Sequence, residues 1–124
     1  MRVVALILTA VIAAGALAAP AIAQQDGALV ALHTLRKEGR SICMVGHFHL
    51  GTSSGARTRK LAARAAMRDW SSFTAWEYGG HWGSTKRAKN KSMSCQRLSR
   101  GWSCDFNARP CKSARRGRVA GRRR

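Results

Sequence analysis

A chain of 124 residues with 23 Lys and Arg against five Asp and Glu carries a formal charge of +18. That length allows one small domain, and the charge points to anionic partners without specifying a fold. The chain has no GxxxxGK[ST] motif and no CxxC pair. Nucleotide hydrolysis on a phosphate loop is therefore rejected, and a clustered-cysteine zinc site fits the spacings poorly.

The N-terminus reads as an export signal. Met1-Arg2 opens it, Val3 to Ala19 is apolar and uncharged, and Pro20 breaks the run. Ala21-Ile22-Ala23 is then a small-x-small cleavage site ahead of Gln24. The run is short for a membrane span. No cysteine follows it to take a lipid, and no second apolar segment occurs. The expectation is a signal peptide over 1–23, no transmembrane span after cleavage, and a periplasmic or secreted destination. Residues 24–124 hold 22 of the cations and all five acids, a net of +17.

Residues 24–40 form a lead segment, either a short helix with Leu29, Leu32 and Leu35 at helical spacing or disordered chain. Ser41 to Leu50, SICMVGHFHL, reads as a strand. Ile42, Met44, Gly46, Phe48 and Leu50 share one face, and Cys43, Val45, His47 and His49 the other. Gly51 to Gly55 reads as a flexible turn, with Ser53 or Ser54 capping the helix that follows.

That helix spans Arg57 to Tyr78. Ala62, Ala63, Ala66, Met67, Trp70 and Phe73 recur every three or four residues as a core stripe. Arg57, Lys60, Arg64, Arg68 and Ser71 fall on the other side. The glycines at 79 and 80 end the helix. Residues 79–90 read as a cationic, Gly-rich loop with one helical turn at Ser84 to Ala88.

Lys91 to Leu98 and Trp102 to Ala108 then read as a hairpin. A turn at Ser99-Arg100 places Arg97 opposite Trp102, Cys95 opposite Cys104 and Met93 opposite Phe106. Pro110 ends the folded domain, 41–111, and 112–124 reads as a disordered Arg-rich tail with seven cations and no acid. The predicted fold class is α+β. A three-stranded, antiparallel-rich sheet in the order strand, helix, strand, strand carries the helix across one face.

Four cysteines in a small exported domain point to two disulfides. The hairpin register brings Cys95 to Cys104, which leaves Cys43 with Cys111. The other pairings stay open, because direct cross-strand bridges are geometrically demanding.

Candidate chemistry is sparse. His47 and His49 share a strand face that His81 or His33 could join. With no carboxylate nearby in sequence, they read as a polar face rather than a metal site, and nothing calls for a cofactor. The acids leave little for acid–base work, and no GxSxG motif exists, so no catalytic residue is assigned. Asn90-Lys91-Ser92 matches a glycosylation sequon by pattern alone. Trp70 and Trp102 suit a core, whereas Trp76 and Trp82 flank the Gly-rich loop and are the candidates for stacking on a ligand.

HFHLGTSSG, the Ala-rich helix, WSSFTAWEYGGHW and CQRLSRGWSCDFNARPC resemble small exported proteobacterial proteins of unassigned function, over residues 44 to 111. The strand–helix–strand–strand order is also similar to dodecin-like folds, without a flavin-binding signature. Neither resemblance implies an activity.

The functional expectation is a non-catalytic, exported, basic domain that binds an anionic polymer or envelope surface. Lipopolysaccharide, anionic lipid, cell-wall polymer and nucleic acid are the candidate partners. The anion-binding residues would be Arg57, Lys60, Arg64, Arg68, Lys86, Arg87, Lys89 and Lys91. The alternative is a structural or protein-interaction module, oligomeric through a sheet edge, whose charge is incidental.

Overall fold

A computed structural model describes residues 27–114. Residues 1–26, which include the expected signal segment, and residues 115–124 of the tail lie outside the described residues. A 3-10 turn, Ala28–Leu32, is followed by strands β1 (Leu35–Glu38), β2 (Ser41–Met44) and β3 (His49–Ala56). Helix α1 (Arg59–Tyr78) comes next, then strands β4 (Lys89–Leu98), β5 (Gly101–Arg109) and β6 (Cys111–Ser113). The strands form two antiparallel three-stranded sheets, ordered β1-β2-β6 and β3-β5-β4.

The second sheet and α1 realise the predicted strand, helix, strand, strand order. The β4–β5 hairpin has the expected register, with Arg97 opposite Trp102, Cys95 opposite Cys104 and Met93 opposite Phe106. Both expected disulfides are formed, one in each sheet. Cys95–Cys104 bridges β4 and β5, and Cys43–Cys111 bridges β2 and β6.

Helix α1 packs on this sheet through Ala62, Ala66 and Trp70, which meet Ala88, Cys104, Phe106 and Ala108. Small residues at 62 and 66 let the backbone come close. Gly51 completes the fit from the sheet side, since a β-carbon there would collide with the Ala66 carbonyl and the Trp70 backbone. Trp70 fills the middle. Its indole N–H donates to the Ala108 carbonyl at 3.3 Å, and its ring meets Phe106 edge to face. Burial continues every fourth residue to Thr74 and Tyr78. That row drifts around the helix past Phe73, which is 45 % exposed instead of facing the core as predicted.

Several local expectations need correction. The strand expected over Ser41 to Leu50 is two strands in two sheets. Gly46, at φ +64°, turns the chain between them. The break shifts the pattern, so His49 is buried at 6 % exposure while Leu50 stands 55 % exposed. The Gly51 to Gly55 stretch is the body of β3 rather than a turn, because pairing with β5 satisfies its backbone. Ser53 does not cap α1; its hydroxyl donates to the Ala62 carbonyl and accepts from Cys104 N–H. The cap is Thr58, whose Oγ1 accepts from Leu61 N–H at 3.2 Å.

The lead segment carries a strand, β1, as well as its helical turn. Order also extends past Pro110, because Cys111–Ser113 pairs with β2 and the Ala114 N–H donates to the Arg40 carbonyl. A second core gathers Val30, Met44, Tyr78 and Trp82, with Ile42 against it. Arg109 ties the two sheets together. From β5 it holds the Glu38 carboxylate of β1 with two bonds of 2.7 Å and also donates to the Met44 carbonyl. Those bonds, with a further contribution from Arg36, hold the Glu38 carboxyl down at about 2, and they raise the Arg109 guanidinium.

Candidate functional site

Two features stand out on this scaffold: an exposed cationic ridge along α1, and a cluster of imidazoles where α1 ends.

The ridge follows from four-residue spacing. Lys60, Arg64, Arg68, Ser72 and Trp76 lie in one row of the helix and all are exposed. Arg64 and Arg68 border a groove of about 280 Å³, completed by Met67, Ser71 and Thr85. Thr85 belongs to the tight turn, closed by Arg87 N–H and Ala88 N–H on the Ser84 carbonyl, that also carries Lys86 and Arg87. Ser71 pins the loop to the helix by donating to the Gly83 carbonyl at 2.5 Å. The fold thus brings Arg64 and Arg68 to the turn bearing Lys86 and Arg87. Arg57 sits just ahead of the helix, and Lys89 and Lys91 are exposed on the edge strand β4.

The acids do little to offset this face. Asp69, on the adjoining helix row, accepts the Thr52 backbone N–H at 2.8 Å. Glu38 is held by Arg36 and Arg109, and Glu77 faces His49. Three of the four described acids are thus engaged by partners within the fold, Asp69 at its surface, against sixteen described Lys and Arg.

The two candidate stacking tryptophans part company. Trp76 ends the ridge at 80 % exposure, with its ring stacked on Phe73 at 6.1 Å. Trp82 is not available to a ligand. It is fully buried in the second core, where the Lys112 ammonium lies 5.1 Å from its ring centroid. Gly83 allows this burial, because a side chain there would strike the Ser71 carbonyl and Ala75.

The second feature joins residues far apart in sequence. His33 follows the 3-10 turn, His47 lies in the 45–48 connection, His49 opens β3, and Thr74, Glu77 and Tyr78 come from the last turns of α1. The Nε2 atoms of His47, His49 and His33 lie 3.0, 3.2 and 3.4 Å from the Tyr78 hydroxyl. His49 Nδ1 meets Thr74 Oγ1 at 3.0 Å, and His33 Nδ1 meets the Leu29 carbonyl at 3.0 Å. A carbonyl only accepts, so His33 donates from Nδ1 to Leu29, and in its neutral form the Nε2 is left to accept from the Tyr78 O–H.

Burial lowers the His49 imidazole, against a smaller opposing pull from Glu77, and lowers His47 in the same way, aided by His33. Burial, and then the Glu77 charge, pushes the Tyr78 phenol up to about 12. Glu77 Oε2 lies 3.1 Å from His49 Nε2 as an ion-pair contact and is buried.

The polar strand face expected from His47 and His49 is therefore a half-buried cluster. His33 joins it, while His81 stays exposed in the loop. Glu77 supplies the carboxylate that the neighbouring sequence lacks. Among the described residues, no group of three or more His, Cys, Asp or Glu side chains is placed to hold a metal ion. The phenol oxygen occupies the focus. Also among the described residues, no helix is long and apolar enough to cross a membrane. Comparison of the chain with protein-family models, curated proteins and solved structures gave no match.

Proposed function

We propose that this is a non-catalytic, exported domain, periplasmic or secreted, that binds an anionic polymer or envelope surface through the α1 ridge. The observation that carries this reading is the exposed row Lys60, Arg64 and Arg68, which opens on the Thr85 groove and, among the described residues, has no carboxylate held against it. Cations on a rigid helix at a fixed pitch can engage successive phosphates or carboxylates without first being ordered, which lowers the cost of binding. Trp76 continues the same row with an exposed aromatic surface suited to a sugar face or an acyl chain. Two disulfides accord with an oxidising compartment, where lipopolysaccharide, anionic lipid and cell-wall polymer are the nearby anions.

The test is a salt-dependent binding titration of the full chain against lipopolysaccharide, anionic vesicles, cell-wall polymer and DNA. Two variants run beside it. One carries Lys60→Gln, Arg64→Gln and Arg68→Gln together. The other replaces the arginines of residues 115–124 with Gln. Each lost phosphate contact lowers the slope of log K against log salt by about 0.9 on duplex DNA, so the ridge variant loses about 2.7 there. Binding untouched by the ridge variant but abolished in the tail variant would reject the folded face as the binding surface.

A further inference from the structure

We propose that the anionic partner of the α1 ridge is a phospholipid bilayer, met by two kinds of side chain at once. Trp76 and Phe73 sit at the boundary between headgroups and acyl chains, while Arg64, Arg68, Lys86 and Arg87 lie on the headgroup phosphates. This rests on the ridge reading above and narrows it to one partner.

The observation is an exposed aromatic pair at the end of a cationic row. Trp76 is 80 % exposed, Phe73 is 45 % exposed, and their rings stack at 6.1 Å. Exposed apolar surface rimmed by polar groups marks a contact site. A duplex or an anionic glycan offers charge but no acyl layer to receive these rings. A bilayer offers both, and tryptophan favours its interface, where the apolar ring and the polar N–H are each accommodated.

The pair is held in place before any contact is made. The Phe73 ring lies 5.0 Å from the His49 ring. His49 is fixed in turn by Thr74 Oγ1 and the Tyr78 hydroxyl. An anchor already ordered costs less to seat than a free side chain.

The charges suit the same surface. With about 100° between successive helical residues, Leu61, Arg68, Ser72 and Trp76 fall within about 80° of one another. All four are exposed. Arg68 and Arg64 precede Trp76 by about 12 and 18 Å along the axis, at about 1.5 Å per residue. Their long stems let the guanidinium groups rise to the phosphates while the helix lies along the bilayer. The carboxylates nearest the aromatic pair do not oppose an anionic surface. Asp69 accepts from Thr52 N–H, and Glu77 is turned to His49. Cations along a helix with aromatic residues beside them are the pattern of a contact that lies on a membrane without spanning it.

The experiment measures binding of the full chain, disulfides intact, to vesicles of phosphatidylcholine alone and of phosphatidylcholine mixed with phosphatidylglycerol. Duplex DNA and lipopolysaccharide run beside them. The mixed vesicles should bind the chain and the neutral ones should not. Phospholipids brominated near the top of the acyl chain should quench the emission of the bound protein, and Trp76→Ser should remove most of that quenching, since Trp70 and Trp82 are buried. Trp76→Ser should weaken binding to the mixed vesicles about tenfold or more, Trp76→Tyr should restore most of it, and neither should change DNA binding. Both substitutions fall on an exposed helix position, so the fold is not at stake. The triple ridge variant should weaken vesicle and DNA binding together. Four outcomes would overturn the proposal: vesicle binding indifferent to Trp76→Ser, no quenching in the bound protein, equal loss of DNA and vesicle binding in Trp76→Ser, or a Trp76 dependence confined to lipopolysaccharide. In each of these the ridge reading survives if the ridge variant still weakens binding. Normal binding of vesicles and DNA by the ridge variant would remove the ridge reading and this inference with it.

Discussion

The two disulfides close loops of very different length, and the fold makes them unequal in a measurable way. Cys43–Cys111 spans 68 residues and Cys95–Cys104 spans nine. In the chain-entropy model, the first constrains the unfolded state by about 4.4 kcal/mol and the second by about 2.6 kcal/mol. The native contexts widen this gap. Strand β6 is three residues long and pairs with β2 at three positions, so the bridge is a large part of what holds it. The β4–β5 pair runs from Lys89–Arg109 to Leu98–Gly101, with one register shift between Lys89 and Ser92, so its bridge is a smaller share of what holds it. Paired Cys→Ala variants, one pair at a time, are unfolded in urea with both fluorescence and circular dichroism as probes. Loss of Cys43–Cys111 should cost about 2 kcal/mol more than loss of Cys95–Cys104. Equal losses, or the reverse order, would refute the loop-length argument for this fold.

The Glu38–Arg109 bridge makes stability acid-sensitive. The folded carboxyl sits at about 2, below its ordinary 4.5, so its contribution is complete above 4.5 and is lost as pH falls towards 2. The urea midpoint should therefore drop across that window, and Glu38→Gln should flatten the drop; an unchanged profile would count against the bridge. Gly51→Ala pushes a methyl group into the Ala66 carbonyl and the Trp70 backbone. It should destabilise by about 1–3 kcal/mol in the same assay, and a neutral result would mean that α1 does not approach β3 so closely. Thr58→Ala removes the helix cap and should cost about 1 kcal/mol, whereas Ser54→Ala, at one of the two positions the sequence suggested for the cap, should cost far less.

Much of this protein was legible locally. Helical spacing over residues 57–78 located α1 and its cationic row, because a 3.6-residue period needs no knowledge of what covers the helix. Alternation around Ser99-Arg100 gave the hairpin register and favoured the cysteine pairing that formed, while leaving the other pairings open, since strands joined by a tight turn have few ways to pair. Composition alone established the charge. Other features depended on contacts between distant segments. Gly46 diverts the chain between two sheets, a backbone choice that the alternating pattern of 41–50 concealed. That turn buries His49 and exposes Leu50, reversing the inward face. His33 and Tyr78 lie 45 residues apart and meet only once the 3-10 turn packs on the end of α1. Trp82, which stands among glycines and cations in the sequence, is buried by a second core whose members come from four separate segments. Periodicity tells which residues share a face, but whether that face meets a helix, a second sheet or water is decided by tertiary packing.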